Sequence, residues 1–232
     1  MTLRIIAIDG PAASGKSSTA ARLASRIGWA HLDSGALYRA LTLAALDNLG
    51  EGGAATGSLP SAHRILALAE DLPVRLVLRD KTFVPEVAGV DVENAIRGDR
   101  VTARVSELAA IPEIRTWVNE QQRRAVARHA GVVVDGRDIG TVVFPAAPLK
   151  VFLTATPEER ARRRVTQRGE PSDPGRVTGE ANMLAARDRA DATRAIAPLA
   201  AAPDAVVLDT TALSLEEQVE WLVALARERF PG

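Results

Sequence analysis

The chain has 232 residues, 47% of them apolar, enough to bury a full core as one domain; its 29 basic side chains balance 29 acidic ones, so no global field argues for nucleic acid or an anionic membrane as partner. The absence of cysteine excludes disulfides, thiolate chemistry and Cys-ligated zinc. No apolar run approaches the roughly 20 residues of a membrane span, and the chain does not open with a cationic region followed by a cleavable apolar stretch, so the expectation is a soluble cytoplasmic protein, and the balanced surface and full core permit a monomer. Lysine occurs only at Lys16, Lys81 and Lys150, which leaves arginine, with its planar fork, as the main basic residue for binding phosphate or carboxylate.

In chain order, the run Ile5 to Ile8 reads as a buried strand that leads into Gly10, Pro11, Ala12, Ala13, Ser14, Gly15, Lys16 and Ser17, with Ser18 on the first turn of the next helix. This is a phosphate-binding loop: glycines let the backbone turn tightly and aim several N–H groups at one anion, and the helix adds the positive end of its dipole. In such a loop Lys16 reaches the β- and γ-phosphates of a nucleotide and the Ser17 hydroxyl ligates Mg²⁺. Ala20, Leu23, Ala24 and Ile27 recur at helical spacing up to Gly28. A short strand over Trp29 to Leu32 ends in Asp33-Ser34-Gly35, which can cap a second helix through Leu37, Leu41 and Ala45.

Between Asn48 and Gly98 the texture changes. Gly50, Gly52, Gly53 and Gly57 precede a short helix near Ser61 to Asp71, and the runs Val74 to Leu78 and Phe83 to Val87 flank Arg79-Asp80-Lys81-Thr82 as an antiparallel hairpin. Helices resume over about Asp99 to Ala110 and Pro112 to His129. Further core strands are expected at Val132 to Val134, Leu149 to Leu153 and Ala205 to Leu208, making five parallel strands that alternate with helices in a doubly wound sheet. Gln167 to Gly179, rich in Gly and Pro, reads as a mobile flap. The last helix opens on Ser214 with Glu217 three residues on, a capping box.

Three strand ends carry polar residues suited to phosphate. Beside the loop at Gly10, the segment Asp135-Gly136-Arg137-Asp138 follows a strand, at the edge where open α/β sheets bind ligands. Asp135 is the candidate carboxylate linked to Mg²⁺, directly or through a water, and Arg137 is suited to an acceptor phosphate. Asp33-Ser34 with Arg39 one turn on is the third; by itself it also reads as ordinary helix capping. Asp209-Thr210-Thr211 reads equally as an adenine-side loop or a turn. His31, His63 and His129 lie near no carboxylate cluster and read as surface or core packing.

On these residues the chain resembles the bacterial-type cytidylate kinases among the nucleoside monophosphate kinases. The resemblance covers nearly the whole length and is carried by Gly10 to Ser17, Leu32 to Gly35 with Tyr38-Arg39, Ile96-Arg97, the helix pair around Ser106 and Arg115, the stretch Asp135 to Pro145, and Arg187 to Pro198. It implies a single P-loop kinase domain over 1–232, an acceptor region over 36–112 enlarged by an insert at about 50–98, and a lid over 160–186.

It further implies transfer of the γ-phosphoryl group of ATP, with Mg²⁺, to CMP or dCMP. Arg39 and Arg137 would hold the acceptor phosphate; Ser106, Arg115 and Asp138, helped by Ser34 and Arg194, would read the cytosine edge; Arg187 and Asp191 would meet the sugar hydroxyls. Cytosine offers an amino donor and two acceptors, which suit Asp138 and Arg115, whereas uracil would mispair both, at a cost of about 1 to 3 kcal/mol per group. Within that reading Arg163 and Arg164 close over the polyphosphate. On a plain solvated helix the same arginines would pair with Glu158 and Glu159. A GTP-dependent switch would need an Asn-Lys-x-Asp segment, which the sequence lacks.

Overall fold

The computed structural model describes residues 4–50 and 59–231. The elements run β1 (Arg4–Asp9), α1 (Lys16–Ile27), β2 (Ala30–Asp33), α2 (Ser34–Leu49), α3 (Ala62–Asp71), β3 (Val74–Arg79), β4 (Thr82–Val87) and β5 (Val90–Asp91). They continue as α4 (Asp99–Leu108), α5 (Pro112–Val126), β6 (Gly131–Gly136), β7 (Leu149–Thr154), α6 (Pro157–Gln167), α7 (Pro174–Ala192), β8 (Val206–Asp209) and α8 (Leu215–Arg229). The chain packs as two compact units, Met1–His31 with Ala130–Gly232, and Leu32–His129. The division falls inside β2.

In the first unit β1 is flanked by β6 and β7, with β8 beyond β7, all parallel. Register places Asp9 opposite Gly136 on one side and Phe152 on the other, so the turns after β1 and β6 leave the sheet side by side. Both strand neighbours and both faces of β1 are apolar, which is why it reads as an unbroken run rather than an alternation. The α1 face of Ala20, Leu23 and Ala24 packs in one cluster with Ile6, Ile8 and, from α8, Val219, Leu222, Val223 and Ala226. Full burial of a leucine such as Leu23 contributes about 2 kcal/mol, so this cluster anchors the helix that carries the loop lysine. The capping box of α8 forms as predicted, with Ser214 Oγ accepting from Glu217 N and the Glu217 carboxylate accepting from Ser214 N.

The second unit has its own core, built on α2. That helix is buried nearly all round, through Ala36, Leu37, Tyr38, Ala40, Leu41, Ala44 and Ala45, and Ile65, Val74, Ile96, Val105, Leu108, Ile114 and Val118 close over it. Asp33 caps it, accepting from Gly35 N at 2.9 Å. The hairpin β3–β4 pairs Arg79 with Thr82, and Asp80 and Lys81 between them both have positive φ, the type I′ backbone that matches strand twist.

Two expectations are corrected. Among the described residues eight strands form; the unforeseen one is β5, joined to β4 through Ala88 and Gly89, again both at positive φ, and at two residues it is too short to show any periodicity. About half of the flap segment is helical: 168–173 separates α6 from α7, and Pro174 onward belongs to α7. Asp173 caps α7 by accepting from Arg176 N, and Pro174 occupies the first helical position, where a missing N–H costs nothing, so Pro and Gly here mark a helix start. Gly52, Gly53 and Gly57 of the insert lie outside the described residues.

Candidate active site

The loop after β1 is as tight as the glycine spacing requires. A Cβ at Gly10 would stand 2.2 Å from the Leu153 carbonyl oxygen, and Gly15 holds a left-handed φ of 91°. As the N-cap of α1, Gly15 gives the first turn no side-chain cap, so the amides there are left to a ligand. Ser14 Oγ is fully buried and has no hydrogen-bond partner, a polar atom that an anion in the loop could satisfy. Lys16 is buried and donates to the Pro11 carbonyl at 3.1 Å, across the loop it closes. Ser18 is exposed.

The turn after β6 supplies the carboxylate facing this loop. Ser17 Oγ donates to Asp135 Oδ2 at 2.5 Å, and His31 Nε2 lies 2.8 Å from Asp135 Oδ1. Burial pushes the Asp135 carboxyl up. The His31 hydrogen bond and charge, the Ser17 hydroxyl and the Lys16 ammonium outweigh it and hold the group below the usual carboxylate range. His31 is therefore not mere packing, as its sequence surroundings suggest; the strand that carries it brings it to Asp135. His63 is exposed and His129 packs edge-on against Phe83, as expected of packing residues.

Asp9, at the end of β1, accepts from the amides of Ile139 and Gly140, both at 2.8 Å, and so fixes the chain just after Asp138. Burial raises it from 3.8 to about 6; the two amides and Lys16 pull down, and the Asp138 charge pushes up. Asp138 itself is buried.

Arginines tie α6 and α7 to the loop. Arg137 Nε donates to Asp191 Oδ2 at 2.9 Å and its Nη1 to the Gly10 carbonyl at 3.0 Å, and Arg194 pairs with the other Asp191 oxygen. Arg160 Nη1 donates to the Ala12 carbonyl at 2.9 Å and pairs with Asp188, whose other oxygen accepts from Ala12 N at 2.9 Å. Arg163 pairs with Glu159, as a solvated-helix reading predicts, yet its guanidinium also donates to Thr210 Oγ1 at 3.0 Å and reaches the Ser14 carbonyl at 3.4 Å. Arg164 donates to Gln167 Oε1 at 3.4 Å, and Arg187 is half-buried on α7. Arg160 and Asp188 carry no role of their own in the sequence reading, since an arginine on one helix and an aspartate on the next give no periodic signal; Thr210 lies in the segment read there as an adenine-side loop or a turn.

In the second unit Ser34 is buried at the start of α2 and its carbonyl accepts from Gln122 Nε2 at 2.9 Å. Arg39 donates to Thr102 Oγ1 at 2.9 Å and to the Ile96 carbonyl at 3.3 Å. Arg115 is buried, donates to the Ala109 carbonyl at 3.0 Å, and lies 5.6 Å from the Tyr38 ring centre. Ser106 is half-buried on α4. Among the described residues no helix is long and apolar enough to cross a membrane, and no group of three or more His, Cys, Asp or Glu could hold a metal. A glycine-bound loop on a parallel strand, its lysine, and a buried hydroxyl–carboxylate pair beside it define a P-loop phosphotransferase.

Comparison with known proteins narrows this class. The family described as Cytidylate kinase matches residues 6–228. A cytidylate kinase of Geobacillus kaustophilus is 45% identical over 97% of this chain and 96% of its own length. One of Azotobacter vinelandii is 43% identical over 95% and 93%. A solved structure, TT1252 from Thermus thermophilus, aligns over 100% of both chains at 21% identity with a TM-score of 0.47. The chain belongs to the cytidylate kinase family.

Proposed function

We propose that the protein transfers the γ-phosphoryl group of ATP to CMP or dCMP, giving ADP and CDP or dCDP. The observation that carries the reading is the match over residues 6–228, supported by a loop whose lysine lies across it and whose serine meets a facing carboxylate. An oxygen of the acceptor phosphate attacks the γ-phosphorus while the bond to the β–γ bridging oxygen breaks, and the electron pair leaves on ADP. A phosphate oxygen is already nucleophilic at neutral pH, so no general base is required; alignment and charge neutralisation carry the rate.

Each group has a part in that scheme. Gly10 to Ser18 cradle the donor phosphates and Lys16 follows the charge toward the bridging oxygen. Ser17 and Asp135 are hard oxygen donors in contact with each other, and with phosphate oxygens and water they suit Mg²⁺ better than an all-protein cage would. When bound, that ion neutralises charge on the donor phosphates. Arg137 and Arg39 hold the acceptor phosphate; Ser106, Arg115 and Asp138 read the base, with Ser34 and Arg194 in support; Arg187 and Asp191 hold the sugar. Asp191 also orients Arg137, since one of its oxygens accepts from that guanidinium. Arg163 and Arg164 on α6 neutralise developing charge, each such donor being worth about 10²- to 10³-fold in turnover. The protein acts as a monomer.

Incubation with ATP, Mg²⁺ and CMP is expected to give CDP and ADP in equal amounts, followed by ³¹P NMR. ADP without CDP would mean that water is the acceptor and would overturn the transfer reading.

A further inference from the structure

Asp135 has only 1% of its surface exposed, and a carboxylate buried to that degree is stable only with partners on its oxygens. Ser17 Oγ occupies Oδ2 and His31 Nε2 stands at Oδ1, so each oxygen is engaged and the carboxylate plane is set. His31 itself is buried on β2, and its ring meets Asp135 through Nε2. The Ser17 hydroxyl that donates to Asp135 has its oxygen lone pairs left for a cation, and the direction of those lone pairs follows from where Asp135 holds the proton.

We infer that His31 is a positioning residue for the metal–ATP complex: it fixes Asp135, which in turn fixes the Ser17 hydroxyl. Outer partners of this kind set the orientation of the groups that meet the ion, and their loss weakens metal binding without touching the nucleotide contacts. His31 acts on the ion only through Asp135 in this scheme, so its removal should act on the metal-dependent part of ATP affinity alone. The inference rests on reading Ser17 and Asp135 as the metal-holding pair.

The test is calorimetric titration of the protein with ATP, without acceptor, in EDTA and in Mg²⁺. Wild type is expected to bind ATP more tightly with Mg²⁺ than without. His31→Phe, which fills the space but offers no donor, should lose about tenfold of that gain and keep its metal-free affinity. His31→Gln, whose amide nitrogen takes the place of Nε2, should restore most of it. Should His31→Phe not fold, His31→Asn replaces it, since that amide stops short of Asp135. A wild type without any Mg²⁺ gain overturns the metal-pair reading and the inference with it. A wild-type gain that His31→Phe keeps, or that His31→Gln fails to restore, or an equal loss in EDTA, overturns the role of His31 alone.

Discussion

The carboxyl ends of β1 and β6 each bury an aspartate, one register step apart, and the two behave in opposite ways. Burial pushes Asp9 up to about 6 against the pull of two backbone amides and Lys16, and the negative charge of Asp138 adds to the rise. Asp135 is at least as buried, but His31, Ser17 and Lys16 hold it below the usual range. Desolvation acts on both; the difference lies in the charge and side-chain donors around each. The lesson is that a strand end places a carboxylate, while its neighbours decide whether it serves as an anion. Asp135 is equipped to face a cation, and Asp9 is equipped to hold a loop.

Lys16 lies near both groups and its removal should have the largest effect. Lys16→Ala should lower turnover by at least about 10³-fold with circular dichroism unchanged, because it takes a cation from the phosphates as well as from Asp135. A variant with ordinary turnover would remove Lys16 from the mechanism. Asp135→Asn keeps the shape and deletes the charge; it should weaken Mg²⁺-dependent turnover by about 10- to 100-fold, with part of the loss recovered at high Mg²⁺. If Mg²⁺ titrations of variant and wild type superimpose, Asp135 is a structural aspartate like Asp9.

Asp9 sharpens the comparison through stability. The folded protein holds the Asp9 proton up to about 6 and the unfolded chain only to 3.8, so this contribution to stability is complete below 3.8 and is lost as pH rises through about 6. Against Asp9→Asn, which cannot ionise, urea unfolding of the wild type should lose up to about 3 kcal/mol between about pH 4 and about pH 7. A difference independent of pH would mean that Asp9 stays ionised. The smallest effect is expected from Asp138→Asn, which removes a charge that raises Asp9 and should move that pH dependence down by less than about one unit.

Much of this was legible in the chain and some was not, for identifiable reasons. Gly10, Gly15, Lys16 and Ser17 form a local motif whose spacing is the mechanism, and the apolar strands around it show in composition alone. The hairpin at Asp80-Lys81 was readable because turn and alternation are both local. The two-residue β5 gives no period, and the helix start at Asp173-Pro174 resembles a loop because capping residues and turn residues are the same types. His31 contacts a residue 104 positions away, and Arg160 reaches Ala12 across 148. Such pairs are fixed by strand order and helix packing, to which sequence spacing is blind.

The central claim is best tested by ADP formation with MgATP and each of CMP, dCMP, UMP, AMP and GMP, beside a control without acceptor, for wild type and Asp138→Ala. Fast turnover confined to CMP and dCMP in the wild type, with discrimination against UMP reduced in Asp138→Ala, is the predicted result. Equal turnover with UMP, or an unchanged CMP to UMP ratio in the variant, would contradict the cytosine-reading role. ADP formation indifferent to every acceptor would contradict the kinase.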